Sequence, residues 1–457
     1  MPTETPIDYR AHARGLLRDT PGVRDAVTRA TSHLDGNREL AYAEIDERAL
    51  RDWAAGLRRH ALANLDRYLL QAEERLTANG VEVHWADDAS EALAVLATLV
   101  QRYAVRRVVK GKSMLTEEIG ANAALEGMGV EVFETDLGEY IIQLAHEHPS
   151  HIIAPAIHRS VEDIAAQFES QLGTPSDADP EALAAAARAR LREAFLSAEM
   201  GITGANFVAA DSGTVALVEN EGNIRLSTSA PRVHVAFVGI EKVVPRLADL
   251  GGLLPLISRA ATGQRLGNYV SLISGPRRAD EADGPEAVHV VFVDNGRSAL
   301  LGDPEQGEAL ACIRCGACLN TCPVFRQTGG HPYQWAYSGP IGAVLAPALL
   351  GLERAWMLPQ ASTLCGACED VCPVRIPLPR MLVTWRQRAA AAGLGFAGEA
   401  LAVKSWRWVA SHPGLFHRSV RAMSGPLGHA FGGVPVLREW TRFRVLPQAD
   451  DAGEDTP

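Results

Sequence analysis

All seven cysteines of the chain lie between Cys312 and Cys372. Cys312, Cys315, Cys318 and Cys322, closed by Pro323, form a C-x2-C-x2-C-x3-C-P run, and Cys365, Cys368 and Cys372, closed by Pro373, repeat its last three positions. Bacterial ferredoxins hold 4Fe-4S clusters with this spacing: one tight turn supplies three thiolates, and the fourth cysteine crosses to the other cluster. Gly316 and Gly366 each follow a ligand, where a missing side chain lets backbone N–H groups approach cluster sulfurs. The crossover rule assigns Cys312, Cys315, Cys318 and Cys372 to one cluster and Cys322, Cys365 and Cys368 to a second, which is one thiolate short. Ser362 stands three residues before Cys365, where a complete motif would begin. The second centre is then a 4Fe-4S cluster with Ser362 Oγ, water or an external ligand on its fourth iron, a 3Fe-4S cluster, or a cluster completed by a partner's cysteine. The first of these is the reading adopted. Zinc knuckles also pair C-x2-C units, but they do not call for a third ligand in the same run or for Cys-Pro closure in both.

The elements that position these ligands are read from pattern. Residues 323–364 are too many for a compact ferredoxin hairpin and contain the apolar run Ile341–Leu352, which places the motifs between helices, with Phe325, Trp335, Tyr337 and Trp356 as packing. Upstream, residues 1–80 read as a helical scaffold. From Val81 onward, strand patterns at Val81–Trp85, Val105–Lys110 and Val130–Thr135 alternate with helical patterns at Ser90–Tyr103, Ser113–Gly127 and Gly138–Ala145. This predicts an α/β domain with a mostly parallel sheet. Asp179 is placed to cap the helix that follows Pro180. Phe207–Ala210, Thr214–Glu219, His234–Gly239, Tyr269–Ile273 and Val288–Val293 are expected as buried strands of the same sheet. The expected division is 1–80, 81–300, 301–390 and 391–457, the last with helices over Leu378–Ala392 and Ala397–Val409 and an acidic tail, Gln448–Pro457.

Composition narrows the function. A length of 457 residues fits about two or three domains, and apolar content of 47% supports real cores. A net charge of -11 argues against a nucleic-acid partner, since phosphate binding rests on clustered cations. The sequence MPTETPIDYR has no signal-peptide pattern, and no apolar run spans a bilayer, so a cytoplasmic protein with thiolate-bound metal is expected rather than a disulfide-bonded one.

Weaker signals lie elsewhere. Lys110, Lys112 and Ser113 follow a strand and open a helix, where a carboxylate or phosphate could bind, or where a helix simply starts. Arg106 replaces the first glycine of a phosphate loop, which argues against a nucleotide triphosphate. His146, Glu147, His148 and His151 read as a surface turn before a strand rather than a zinc site. Gly201–Asn206 and Asp211–Thr214 could line a pocket at strand ends or make tight turns, with Asp211, Glu219 and Asn220 as candidates by location. Gly393–Gly398 matches G-x-G-x-x-G but follows a helix, so it reads as a turn. Trp406 and Trp408, beside Lys404 and Arg407, are expected at a partner subunit or a membrane surface.

Several longer strings carry a resemblance. Val109-Lys110-Gly111-Lys112-Ser113-Met114-Leu115-Thr116-Glu117-Glu118-Ile119-Gly120, Glu134–Gln143, Pro149–His158, Gly204–Asn206 through Asn220–Asn223, and His234–Pro245 resemble the iron-sulfur subunit of the bacterial L-lactate utilisation complex over nearly the whole chain. The resemblance implies a lactate-utilisation domain of the NagB/RpiA/CoA-transferase group followed by a mainly helical ferredoxin-like module. It also implies two 4Fe-4S clusters with the ligand sharing above, and a role in oxidising L-lactate to pyruvate with two companion subunits. The competing class is a self-sufficient oxidoreductase acting on a carboxylate or thioester bound by the α/β domain. A third is a redox sensor built on the open-sited cluster.

Overall fold

Nearly unbroken apolar runs make the central sheet of the computed structural model, which describes residues 5–396 and 398–424. The strands are β1 (Glu82–Ala86), β2 (Arg107–Lys110), β3 (Glu131–Glu134), β4 (Met200–Thr203), β5 (Phe207–Ala209), β6 (Thr214–Glu219), β7 (Val233–Gly239), β8 (Val243–Val244), β9 (Tyr269–Ile273) and β10 (Ala287–Val293). Six of them pair in the order β1-β10-β7-β4-β2-β3, every pair parallel. β4 and β7 are buried along their whole length, as strands covered on both faces must be. Helices Ala89–Arg102 and Pro180–Ser197 cross between strands, and the second is capped as expected, with Asp179 accepting from Ala182 N at 2.8 Å.

The chain runs outward from β2 to β3, then returns to the opposite side of β2 as β4. That reversal opens a crevice at the carboxyl ends of β2 and β4, the place where open α/β sheets bind ligands.

Three expectations are corrected. Phe207–Ala210, Thr214–Glu219 and Tyr269–Ile273 do not join the parallel sheet: β5, β6 and β9 form a second sheet with β8, in the order β8-β5-β6-β9. A tight turn with Gly213 at φ 62° makes β5 and β6 an antiparallel pair, which the parallel order cannot accept. Both faces of this sheet are covered. Val208, Val215 and Leu217 pack with Leu65, Tyr68, Leu76 and the first sheet, while Phe207, Ala209 and Ala216 pack with Ala54 and Leu253. Second, the helix expected over Ser113–Gly127 breaks at Gly120, φ 72°, into Met114–Glu118 and Ala121–Gly127. Third, Ile152–Ala156 is irregular and no strand follows His151.

Residues 1–80 supply helices Tyr9–Asp19, Val23–Tyr42, Glu47–Ala63 and Leu65–Ala78. One hydrophobic cluster joins Val27, Tyr42, Ala54 and Leu62 of these helices to Phe207, Val244 and five of the cysteines. The described residues up to 388 form one compact unit and those from 389 onward a second. In the second, helices Glu399–Ala410 and Pro413–Ser424 expose Trp406 (67%) and Trp408 (57%), and Gly393 and Gly398 adopt left-handed turns after a helix. The expected tail Gln448–Pro457 lies outside the described residues. No described helix is long and apolar enough to cross a membrane.

Gly201 in β4 fixes the spacing of strand and helix, because a Cβ there would lie 1.7 Å from Ser227 O on the helix Asn223–Ser229. Gly201→Ala is expected to cost about 3 kcal/mol or more in a denaturant titration, since backbone rather than a flexible side chain must move.

Candidate functional site

The two cysteine runs fold alike. Arg314 (φ 61°) and Gly316 (φ 76°) precede the one-turn helix Ala317–Asn320, and Leu364 (φ 55°) and Gly366 (φ 91°) precede Ala367–Asp370. Non-glycine residues seldom take positive φ, so its recurrence at matching positions marks one motif built twice. In the first copy Arg314 N donates to Cys312 Sγ at 3.4 Å; in the second Leu364 N donates to Ser362 Oγ at 3.1 Å. Ser362 therefore occupies the place of Cys312 in the second turn.

Cys312, Cys315, Cys318 and Cys372 line one cavity, about 360 Å³ including its mouth, whose other walls include Ile152, Ile341, Val374, Ile376 and Leu378. Ile376 N donates to Cys372 Sγ at 3.3 Å. Cys322, Cys365 and Cys368 sit near one another, with Cys365 exposed. None of the seven cysteines is in a disulfide. Burial pushes Cys372 up to about 11, and burial followed by Cys322 and Cys365 pushes Cys368 up to about 12. Burial also drives Cys315 and Cys318 above the usual thiol value. Thiols this disfavoured as anions ionise only against a bound cation, which deprotonates its thiol ligands outright. The donor set thus fits iron-sulfur clusters, with an apolar pocket over one group and an open edge at the other.

Two arginines on the helix Glu47–Ala63 hold the runs in place. Arg51 Nε and Nη2 donate to Cys372 O at 3.2 and 2.9 Å, and Nη2 also donates to Asp370 O. Arg58, 1% exposed, donates to Ala311 O (3.3 Å), Leu310 O (3.2 Å), Val243 O (3.2 Å) and Glu241 O. At seven residues' spacing both point to one face of the helix. The same face carries Ala54, Ala55, Ala61 and Leu62, and that apolar stripe was the sequence signal that these arginines are buried.

A second cavity, about 680 Å³ including its mouth, opens at the carboxyl ends of β2, β4 and β7. Lys112, Ser113, Asn206, Lys242, Arg314 and Tyr337 line it. Arg314 Nη2 donates to Glu241 Oε1 at 3.3 Å, and its guanidinium lies 4.7 Å from the centre of the Tyr337 ring. Arg297 bridges Glu241 (2.8 Å) to Glu118 (2.7 Å), and Tyr337 OH donates to Glu118 at 2.8 Å. Burial opposes ionisation of Glu241, yet Arg297 and Arg314 outweigh it and hold the group at about 2. Burial, then Arg314, brings Lys242 down to about 7.

Of the residues Lys110, Lys112 and Ser113, the cavity receives the last two. Lys110 is fully buried and paired with Glu134 (2.8 Å) and Glu117 (3.1 Å); Ser113 Oγ caps the helix Met114–Glu118 by accepting from Thr116 N. His151 is not on the surface. It is 1% exposed, Nε2 lies 3.0 Å from Asn320 Oδ1, Nδ1 accepts from Ile153 N and Ala154 N, and burial lowers it to about 3. Gly316 passes against this ring, where a Cβ would lie 3.2 Å away. His146 and His148 are exposed, while Glu147 meets His158 (2.8 Å) beside His331. Asp211 accepts from Leu247 N and Glu219 from Ile224 N and Arg225 N; Asn220 bonds Gln264 and Asn268, so all three tie backbone or loops together. Phe325 and Tyr337 are buried, with Trp335 edge-on to Tyr337 at 4.9 Å.

A LUD domain profile matches residues 69–293 and a 4Fe-4S dicluster domain profile matches residues 308–376. Lactate utilization protein B of Macrococcus caseolyticus is 45% identical over 88% of this chain and 86% of its own length. The corresponding protein of Shouchella clausii is 44% identical over 93% and 91%. The Escherichia coli protein named electron transport protein YkgF is 43% identical over 97% and 94%. The chain belongs to the lactate utilization protein B family. Family membership joins a LUD domain to a 4Fe-4S dicluster domain in one chain, matching the parallel α/β sheet and the paired cysteine turns.

The clamp gives a direct prediction. Arg58→Ala leaves up to four buried carbonyls without their donor and is expected to cost about 3 kcal/mol or more. Iron per folded chain should fall with it, whereas a surface control such as Arg106→Ala (side chain 89% exposed) keeps both stability and iron.

Proposed function

We propose that this chain is the electron-transfer subunit of a cytoplasmic complex that oxidises L-lactate to pyruvate with two companion subunits. The observation carrying this reading is that Cys312, Cys315, Cys318 and Cys372, from two distant runs, line one cavity while Cys322, Cys365 and Cys368 gather beside it. In the proposed arrangement the first four hold one 4Fe-4S cluster. The other three hold the second, with Ser362 at the position of the missing cysteine. Bound clusters of this kind take up and pass on electrons singly, which suits the two electrons released when a 2-hydroxy acid becomes a 2-oxo acid. The names of the relatives support the lactate and electron-transport parts of the reading.

The chain's own residues prepare the site. Arg51 and Arg58 fix the turns, backbone N–H groups point at Cys312 and Cys372, and Ile152, Ile341 and Leu378 keep water from the first group. The exposed Cys365 edge is where a partner would exchange electrons. The proposed division of labour puts a NagB/RpiA/CoA-transferase-type α/β part at 81–300 and a helical ferredoxin-type part at 301–390. Helices 1–80 brace them, and 391–457 is left for docking.

Lactate-dependent dye reduction tests the relay. The isolated, cluster-loaded chain is expected to show none until the companion subunits are added; robust turnover by the chain alone would contradict it.

A further inference from the structure

We propose that the cavity at the carboxyl ends of β2, β4 and β7 binds a small organic carboxylate against the backbone that carries Cys312 and Cys315. This goes beyond electron relay, which needs no such cavity.

Three basic side chains converge on it from separate elements. Lys112 follows β2, Lys242 follows β7, and Arg314 lies between two cysteines of the first run. Each is short of acceptors. Arg314 is 8% exposed, and while Nη2 reaches Glu241, its Nη1 is buried with no hydrogen-bond partner. Lys112 Nζ is also buried without a hydrogen bond, its nearest carboxylate being Glu139 at 3.7 Å. Among the described residues Lys242 Nζ makes no hydrogen bond or ion pair. Charges removed from water are tolerated when they are paired and hydrogen-bonded, and protein groups supply only part of that here.

The remaining polar lining is also donor-rich. Asn206 Oδ1 already accepts from Val218 N, which leaves its amide N–H groups for the cavity. Ser113 Oγ accepts from Thr116 N, which leaves its hydroxyl hydrogen. Gly204 lets Ser113 approach, since a Cβ there would lie 2.7 Å from Ser113 Oγ. The one carboxylate on the wall, Glu241, is already held by Arg297 and Arg314. A wall of donors with an excess of positive charge selects an anion.

The apolar lining selects its type. Met114, Leu115, Ile152, Ile153 and Phe237 supply the apolar part of the wall. An inorganic oxyanion would leave that surface unused, whereas a carboxylate with a short carbon substituent would place its charge on the cations and its carbon against Ile152 and Phe237. Fixed polar groups on one side of an apolar cleft orient small ligands in this way.

The test is equilibrium dialysis of the anaerobically purified, cluster-loaded full chain with radiolabelled L-lactate, pyruvate or inorganic phosphate. One carboxylate is expected to bind saturably per chain. Lys242→Gln and Lys112→Gln should each weaken it by roughly tenfold, the effect of losing a charged hydrogen bond, while Lys242→Arg retains most of the affinity. Visible cluster absorption equal to the parent's shows that each variant is folded; the half-buried Lys242 decides alone if Lys112→Gln loses that absorption. Absence of saturable carboxylate binding, unchanged affinity in Lys242→Gln, or binding of phosphate but not of carboxylates would each overturn the proposal. The relay reading would survive any of these, because its own test is turnover with and without companion subunits.

Discussion

Two buried arginines on one helix face hold the cysteine-bearing part of this protein together. Arg51 grips the carbonyls at the end of the second run, and Arg58 grips those just before the first. Neither run has enough regular structure of its own, being built from one-turn helices and left-handed residues. Burying two guanidinium groups is costly, and the carbonyl acceptors gathered around them offset it only when both runs are in place. Correct convergence of Cys312 and Cys372 on one cavity is thereby linked to the folding of an N-terminal helix far away in sequence.

The same constraint reaches the α/β sheet. Arg58 also donates to Glu241 O, in the turn after β7, and to Val243 O, at the start of β8, so one side chain sets the distance between the strand ends and the first cysteine turn. Arg314 bridges the remaining gap by pairing with Glu241 from within that turn. Fully buried charges then continue through Arg297 to Glu118 and Tyr337. The cavity between strand ends and cysteines is consequently lined by charged side chains that hydrogen bonds hold in place. Such a place holds a ligand in one orientation more readily than an exposed loop does.

Much of this was legible in the sequence where a local rule was decisive. Cysteine spacing located the two repeated turns because turn geometry is short-range, and Asp179 before Pro180 located a helix start. The second sheet was hidden because β5 and β6 are covered on both faces, so Phe207–Ala209 and Thr214–Glu219 lack the polar alternation that separates half-exposed antiparallel strands from parallel ones. Lys110 looked like an anion ligand, but Glu134 on the neighbouring strand, invisible to local spacing, claims it. His151 read as surface because a polar residue in a loop usually is; only the folded chain brings Asn320 to it. Lys242 carried no motif, and its place beside Arg314 comes entirely from tertiary approach.

In the proposed arrangement the two runs exchange one cysteine, with Cys372 completing the group begun by Cys312. Mössbauer spectra and iron counts of isotope-enriched protein carrying Cys372→Ala, Cys312→Ala or Cys368→Ala test it most directly. The parent should hold about eight irons per chain. Cys372→Ala and Cys312→Ala should perturb the same centre and leave the same residual spectrum, while Cys368→Ala perturbs the other. If Cys372→Ala and Cys368→Ala instead leave matching spectra, each run binds its own cluster and the crossed arrangement is wrong.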